Sequence, residues 1–112
     1  MNVAVHYHTS AEAARGTTAE ISALGVHSVV VEGNLSIGSE VERVFAEVER
    51  EFGRLDALVN SASLMERIPF TELTEADWER NLSANLTAPF LCIQRAARLM
   101  RKTGGGAVVN IS

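Results

Sequence analysis

The chain holds a single cysteine, Cys92, among its 112 residues. No intramolecular disulfide can form, and this scarcity points to a reducing compartment, so the expected location is cytoplasmic. There is no basic excess either: 14 acidic residues face 10 basic ones, for a net charge of −4. Nucleic acid is therefore not expected as a partner, because binding phosphates calls for a basic face. No apolar run approaches the roughly 20 residues that would span a bilayer. The opening residues carry no basic stretch and no cleavage site. They read as a strand, and no membrane partner is expected. Internal repeats, linkers and low-complexity stretches are also missing. His6 and His27 have no partners at metal-ligand spacing, so no metal site is read.

What is present is the make-up of a globular domain, 46% hydrophobic and 21% charged, of a length that suits one domain. Residues 2–7 form a short β-branched and aromatic run that predicts a strand. Thr9 and Glu12 have the spacing of a capping box for a helix over residues 11–24, and Gly25 suits its end. Residues 28–31 predict a second strand, apolar enough for burial in a parallel sheet. Ser39 and Glu42 suggest another capping box. The helix after them aligns Val41, Val44, Phe45, Val48 and Phe52 on one stripe, the spacing of a core-facing surface, and Gly53 ends it. Residues 55–60 predict a third strand. A loop over residues 61–73 follows, and Thr74 caps a long helix from Glu75 to Arg101. Pro89 lies inside that helix and removes a backbone donor, which predicts a kink. Gly104, Gly105 and Gly106 form a turn into a fourth strand over residues 107–111. This triple glycine is not a phosphate loop, because it enters a strand and phosphate binding needs a helix start. Alternating strands and helices favour parallel strands with right-handed crossovers. The expected fold is α/β, a partial Rossmann-like, doubly wound parallel sheet of four strands and three helices occupying residues 1–112 as one partial dinucleotide-binding domain.

Several of these segments share one resemblance. Phe52-Gly53-Arg54-Leu55-Asp56-Ala57-Leu58-Val59-Asn60-Ser61-Ala62-Ser63 is similar to the "FGRLDILVNNAG" segment of the short-chain dehydrogenase/reductase family. Asp77-Trp78 follows, then Asn85-Leu86 at the family's spacing for a helix-borne catalytic asparagine. Gly105, Gly106 and Val108-Val109-Asn110-Ile111-Ser112 resemble its "GGxIVNIS" strand. Together the matches span essentially the whole chain. The resemblance also implies parts not found here. The family's first strand and its glycine-rich Thr-Gly-x-x-x-Gly-x-Gly turn have no counterpart. Its catalytic Tyr-x-x-x-Lys pair cannot be drawn from these residues, whose only tyrosine is Tyr7 and only lysine Lys102. Its catalytic serine aligns one position after Ser112, and a one-residue shift would make it Ser112 itself. The chain is thus expected to be an internal piece of a longer reductase.

The resemblance assigns roles to residues that also have plainer readings. Asn60, Ser61, Ala62 and Ser63 would lie against a nicotinamide cofactor, off the carboxyl edge of the sheet; Asn60 also suits a simple turn at a strand end. Asn85 would be the catalytic asparagine that holds a water in a proton relay, or else a solvated helix position. Asn34 and Leu35 fall where the family has Asp-Val and contacts adenine; a loop asparagine without a ligand reads nearly as well. Tyr7 and His8 end the first strand of this chain, where the ribose would be read. An acid there would favour NAD. None is present, so NADP(H) is expected over NAD(H), although His8 also suits an ordinary surface position. Ser63 in place of glycine is similar to the "NNAS" version in pteridine reductases. Cys92 and Trp78 read as packing residues. The implied activity is hydride transfer between a nicotinamide and a small-molecule carbonyl, alcohol or activated double bond. A homo-oligomer is expected, because the family's long helix often packs on a partner subunit. A non-enzymatic module that associates through exposed strand edges is the other expectation.

Overall fold

The computed structural model describes all 112 residues. Strand β1 (Asn2–Tyr7) leads through helix α1 (Ala11–Ala23) to β2 (His27–Glu32), then α2 (Gly38–Phe52) and β3 (Ala57–Asn60). A single 3-10 turn (Phe70–Glu72) interrupts the next segment before α3 (Glu75–Leu82). A π turn (Ser83–Thr87) carries α3 into α4 (Ala88–Arg101), and β4 (Ala107–Asn110) follows. The expected alternation is thus present.

The strands pair in parallel, as crossover helices require. β1 lies beside β2 with Asn2 opposite His27 and Tyr7 opposite Glu32. β3 lies beside β4 with Asn60 opposite Asn110. The two pairs form separate two-stranded sheets, with no hydrogen-bonded ladder between β1 and β3. The sheet is therefore split along its middle, which leaves it less covered than the sequence suggests. In β2 only Val31 is buried, while Ser28, Val29 and Val30 are half-exposed.

The core sits between helices. Val41 and Phe45 of α2 meet Cys92, Ala96, Leu99 and Met100 of α4, with Leu55 and Leu58 packed against them. Val44 and Val48, on the adjoining edge of the same stripe, meet Val31 of β2. Phe52 completes the stripe half-buried, edge-on to the His27 ring at 5.4 Å. Each fully buried large apolar side chain contributes about 1.5–3 kcal/mol. Only 12 residues are buried, a small core for this length. Arg95 of α4, and Lys102 just past its end, reach Glu42 and Glu49 of α2 at the rim. Such exposed pairs orient the helices more than they stabilise them.

Of the three helix starts, one has the expected cap. Thr74 Oγ1 accepts from the Asp77 amide at 3.1 Å, and Asp77 Oδ2 accepts from the Thr74 amide at 3.0 Å. The Thr9 and Ser39 boxes do not form. The α1 cap position is Ser10, one residue beyond Thr9, and its side chain makes no capping bond. Helix α2 starts at Gly38 after Ile37, which places Ser39 inside the first turn. There Glu40, not Glu42, reaches back, accepting from the Asn34 amide at 3.0 Å.

The long helix departs from regularity in the turn ahead of Pro89. Proline has no N–H to offer the carbonyl four residues back, at Asn85. The ladder widens instead, and the Ala88 N–H bonds to the Ser83 carbonyl five residues back. Asn85 sits in the middle of this π turn, a form of helix often found at functional sites.

Candidate functional site

Parallel strands present their carboxyl ends on one edge, and ligands of open α/β sheets bind there. Two depressions open along that edge. The first, about 390 Å³, runs beside the turn from β1 to α1 and is lined by Tyr7, His8, Thr9 and Ser10, with Ala62 and Ser63 opposite. The second, about 630 Å³, lies past the ends of β3 and β4. Asn60, Ala62, Ser63 and Asn85 line it, with Leu64, Met65, Leu86, Pro89 and Phe90 supplying an apolar wall. Ala62 and Ser63 belong to both, so the two depressions adjoin at the end of β3.

Local chemistry explains how each side chain is held. Asn60 and Asn110 occupy matching positions in the parallel ladder. Their side chains bond to each other, Asn60 Nδ2 donating to Asn110 Oδ1 at 2.8 Å. This clasp ties the two strand ends together at the mouth of the larger cavity. The Ile111 N–H donates to the Asn60 carbonyl at 2.9 Å and extends the ladder one rung.

The Asn85 amide grips the segment after β3. Its Oδ1 accepts from the Leu64 N–H at 2.8 Å, and its Nδ2 donates to the Leu64 carbonyl at 2.8 Å. Both ends of the side chain are committed, leaving one N–H and one lone pair free. Leu64 thereby satisfies its backbone without regular secondary structure.

The remaining residues singled out in the sequence divide. Tyr7, His8, Asn60, Ala62, Ser63 and Asn85 come together along the strand-end edge. Ser61 is exposed and lines neither depression. Asn34 and Leu35 also stand apart. Asn34 Oδ1 accepts from the Ser36 amide at 3.0 Å, closing a local turn. Leu35 packs against both core clusters. His6 is tied to the Gly33 carbonyl through Nε2 at 2.8 Å. No three His, Cys, Asp or Glu side chains gather at metal-binding separation. No helix is long and apolar enough to cross a membrane.

Two acidic residues of this region had no chemical role assigned from the sequence: Asp77, named there only as part of a motif, and Glu66. Asp77 has its carboxyl pulled down to about 2, first by the Thr74 backbone N–H, then by the Thr74 hydroxyl and the Arg80 guanidinium. Glu66 is also held below the usual carboxylate range, chiefly by hydrogen bonding to Arg80. The cap expected at Thr74 foreshadowed the first; the second pairs residues 14 apart across an irregular loop, which no spacing rule foretells. The other omission, Asn110, did leave a signal: both strands end in Val-Asn.

Comparison with known proteins agrees with this architecture. The profile of the family described as short chain dehydrogenase matches residues 1–112. The chain is 37% identical over 111 residues to the 3-oxoacyl-(acyl-carrier-protein) reductase FabG of Staphylococcus aureus, covering 99% of the chain and 45% of the relative. It is 33% identical to the 3-oxoacyl-(acyl-carrier-protein) reductase of a Synechocystis strain, over 100% of the chain and 45% of that protein. Its fold superposes on the acetoin dehydrogenase of Enterobacter cloacae with a TM-score of 0.90 at 32% identity, covering 100% of the chain and 45% of that structure. The chain therefore spans about 45% of the length of these relatives. On the full-length profile match and these identities, the chain belongs to the short-chain dehydrogenase family of oxidoreductases.

Proposed function

We propose that this chain supplies part of the reaction site of a nicotinamide-dependent reductase, which moves hydride between the cofactor and a carbonyl, alcohol or activated double bond. The observation that carries the reading is the gathering of Asn60, Ser63 and Asn85 around one cavity at the strand ends, in a chain of this family. When bound, the cofactor would supply the hydride. Tyr7 and His8 would face its ribose end, and Asn60, Ser61, Ala62 and Ser63 would lie along its middle. Ala62 and Ser63 are small enough to leave the junction of the two depressions open, and Asn60 and Ser63 offer donors and acceptors there. Asn34 would sit towards the adenine, while Leu35, packed against the core, is left out of the cofactor site. The absence of an acid at Tyr7-His8 favours NADP(H), because a carboxylate there would repel a 2′-phosphate. Asn85 is the one catalytic residue we assign, and its hold on Leu64 fixes where it stands.

The substrate is a small molecule. Reduction of a 3-oxoacyl group is favoured by the named relatives, and Ser63 keeps a pterin-like substrate in view. The proton of such a reaction comes from a residue tuned to give it. Tyr7 and Lys102, the sole tyrosine and lysine, lie far apart in sequence and do not make a Tyr-x-x-x-Lys pair. The 112 residues by themselves are therefore proposed to be inactive. The whole protein is proposed to be cytoplasmic and homo-oligomeric.

The test is a graft in which these residues replace the equivalent segment of a 3-oxoacyl-(acyl-carrier-protein) reductase. NADPH-dependent reduction that falls at least tenfold with Asn85→Ala supports the reading. A folded graft that binds neither NADPH nor NADH overturns it. Calorimetric titration of the 112-residue chain itself is expected to show no saturable binding of either cofactor.

A second reading rests on the two separate sheets. β1 and β3 each pair on one side alone, and such edges invite strand addition. A non-enzymatic module would associate through them. Light scattering over a dilution series decides: a monomer at all concentrations, with cooperative melting, removes this reading.

A further inference from the structure

The segment from β3 to α3 contains one 3-10 turn and no other regular structure. Yet its Leu64 and Met65 form part of the wall of the larger cavity. An irregular segment can hold a wall in place only if something fixes it. Asn85 fixes Leu64, as described. A second set of contacts begins at Glu66, immediately after Met65. Arg80 of α3 donates through Nη2 to Glu66 Oε2 at 2.8 Å and through Nε to Oε1 at 3.2 Å. This is the two-pronged match of guanidinium to carboxylate, with defined direction as well as charge. Asn81 Nδ2 adds a donor to Glu66 Oε2 at 3.2 Å. Arg80 is held in turn, because its Nη2 also donates to Asp77 Oδ1 at 2.6 Å. The other Asp77 oxygen receives the Thr74 hydroxyl and amide of the α3 cap. One guanidinium thus joins the loop to the capped start of a helix.

We infer that Glu66 and Arg80 are positioning residues, a latch that fastens residues 64–66 to α3 and sets where Leu64 and Met65 stand in the cavity wall. The consequence for substrate rests on the proposed function; the latch itself does not. Glu66 and Arg80 keep 29% and 48% of their side-chain surface exposed, so their pairing contributes little to global stability. Its effect is local, and that separates it from an ordinary stabilising contact. Loss of the latch loosens the segment and leaves the core alone.

Residue-resolved amide hydrogen exchange on the 112-residue chain tests this without any cofactor. The Leu64 N–H is the reporter, since Asn85 protects it. In Glu66→Ala its exchange is expected to accelerate roughly two- to fivefold, the range for an exposed ion pair. Glu66→Gln, which keeps an acceptor oxygen, is expected to recover part of the protection. Arg80→Lys, whose ammonium cannot fork, is expected to behave like Glu66→Ala. Cys92 and Leu99 amides in the core should keep their rates. Unchanged exchange at Leu64, or equal acceleration at Leu64 and in the core, overturns the latch. In the grafted reductase, Glu66→Ala is expected to raise KM by a larger factor than it lowers kcat. An unchanged KM overturns the link from latch to cavity wall. Failure of the graft to bind cofactor would count against the proposed function alone, because the exchange result is obtained without it.

Discussion

Gly106→Ala probes how closely α4 packs over the β3–β4 pair. A Cβ on Gly106 would lie 2.6 Å from both Cγ and Sδ of Met100 and 2.9 Å from the Asp56 carbonyl oxygen. Comfortable contacts lie near 3.5 Å, so both neighbours must retreat by more than half an ångström. Neither does so freely. Met100 is 5% exposed and belongs to the α2–α4 core. The Asp56 carbonyl accepts from the Ala107 N–H at 3.0 Å, the bond that starts the β3–β4 ladder. Overpacking costs about 1–3 kcal/mol, and weakening the ladder bond adds up to about 1 kcal/mol. The flexibility of methionine relieves part of this, so the expected loss is about 2 kcal/mol. Small proteins have urea slopes of about 1–3 kcal/mol per molar, and this chain belongs at the low end. Its unfolding midpoint, followed by circular dichroism, should then fall by about 1–2 M urea. A fall below about 0.3 M, with an unchanged slope, would refute the close approach.

Other substitutions and conditions make equally definite demands. Gly16 lies inside α1 with open space where a Cβ would go, so Gly16→Ala should stabilise by about 0.5–1 kcal/mol; a lower melting temperature would contradict this. Cys92 is 2% exposed, and burial pushes its thiol up to about 11. Its reaction with a disulfide reagent at pH 8 should be on the order of a hundredfold slower in native protein than in urea, and comparable rates would show an open core. For Asp77 the folded carboxyl titrates near 2 against an ordinary value of 3.8, so its contribution is complete above pH 3.8. It is lost as pH falls through about 2. Exchange at the start of α3 should therefore accelerate between these values in wild type and be flat with pH in Asp77→Asn, once intrinsic rates are divided out. A wild-type profile as flat as the variant's would show that the cap is not ionic.

Much of the architecture was legible in the residues because it rests on short-range rules. The stripe from Val41 to Phe52 follows helical spacing and faces the core, with four of its five members buried. Gly53 ends α2 at φ 74°, where a side chain would be strained. The Thr74 cap, the four strands and their parallel sense followed from alternation and capping chemistry alone. The strand-end residues Asn60 and Ser63 and the helix-borne Asn85 were likewise readable, because the family's motifs keep fixed spacings.

Other features depended on what the chain meets in three dimensions. The start of α2 moved ahead of Ser39 because Asn34 and Glu40 closed a turn there first. The long helix, expected to run from Glu75 to Arg101 with a kink at Pro89, carries a π turn in the stretch before that residue, where the Ala88 N–H bonds back to the Ser83 carbonyl. Leu35 went into the core, since it lies within reach of both apolar clusters. By itself, the sequence determined which segments are helix or strand, which face of α2 is apolar and which family the chain joins, because these depend on neighbours a few residues away. Only the tertiary structure decided that Asn85 holds Leu64 and that Arg80 holds Glu66. Those contacts join residues distant along the chain, and packing, not spacing, brings them within hydrogen-bond reach.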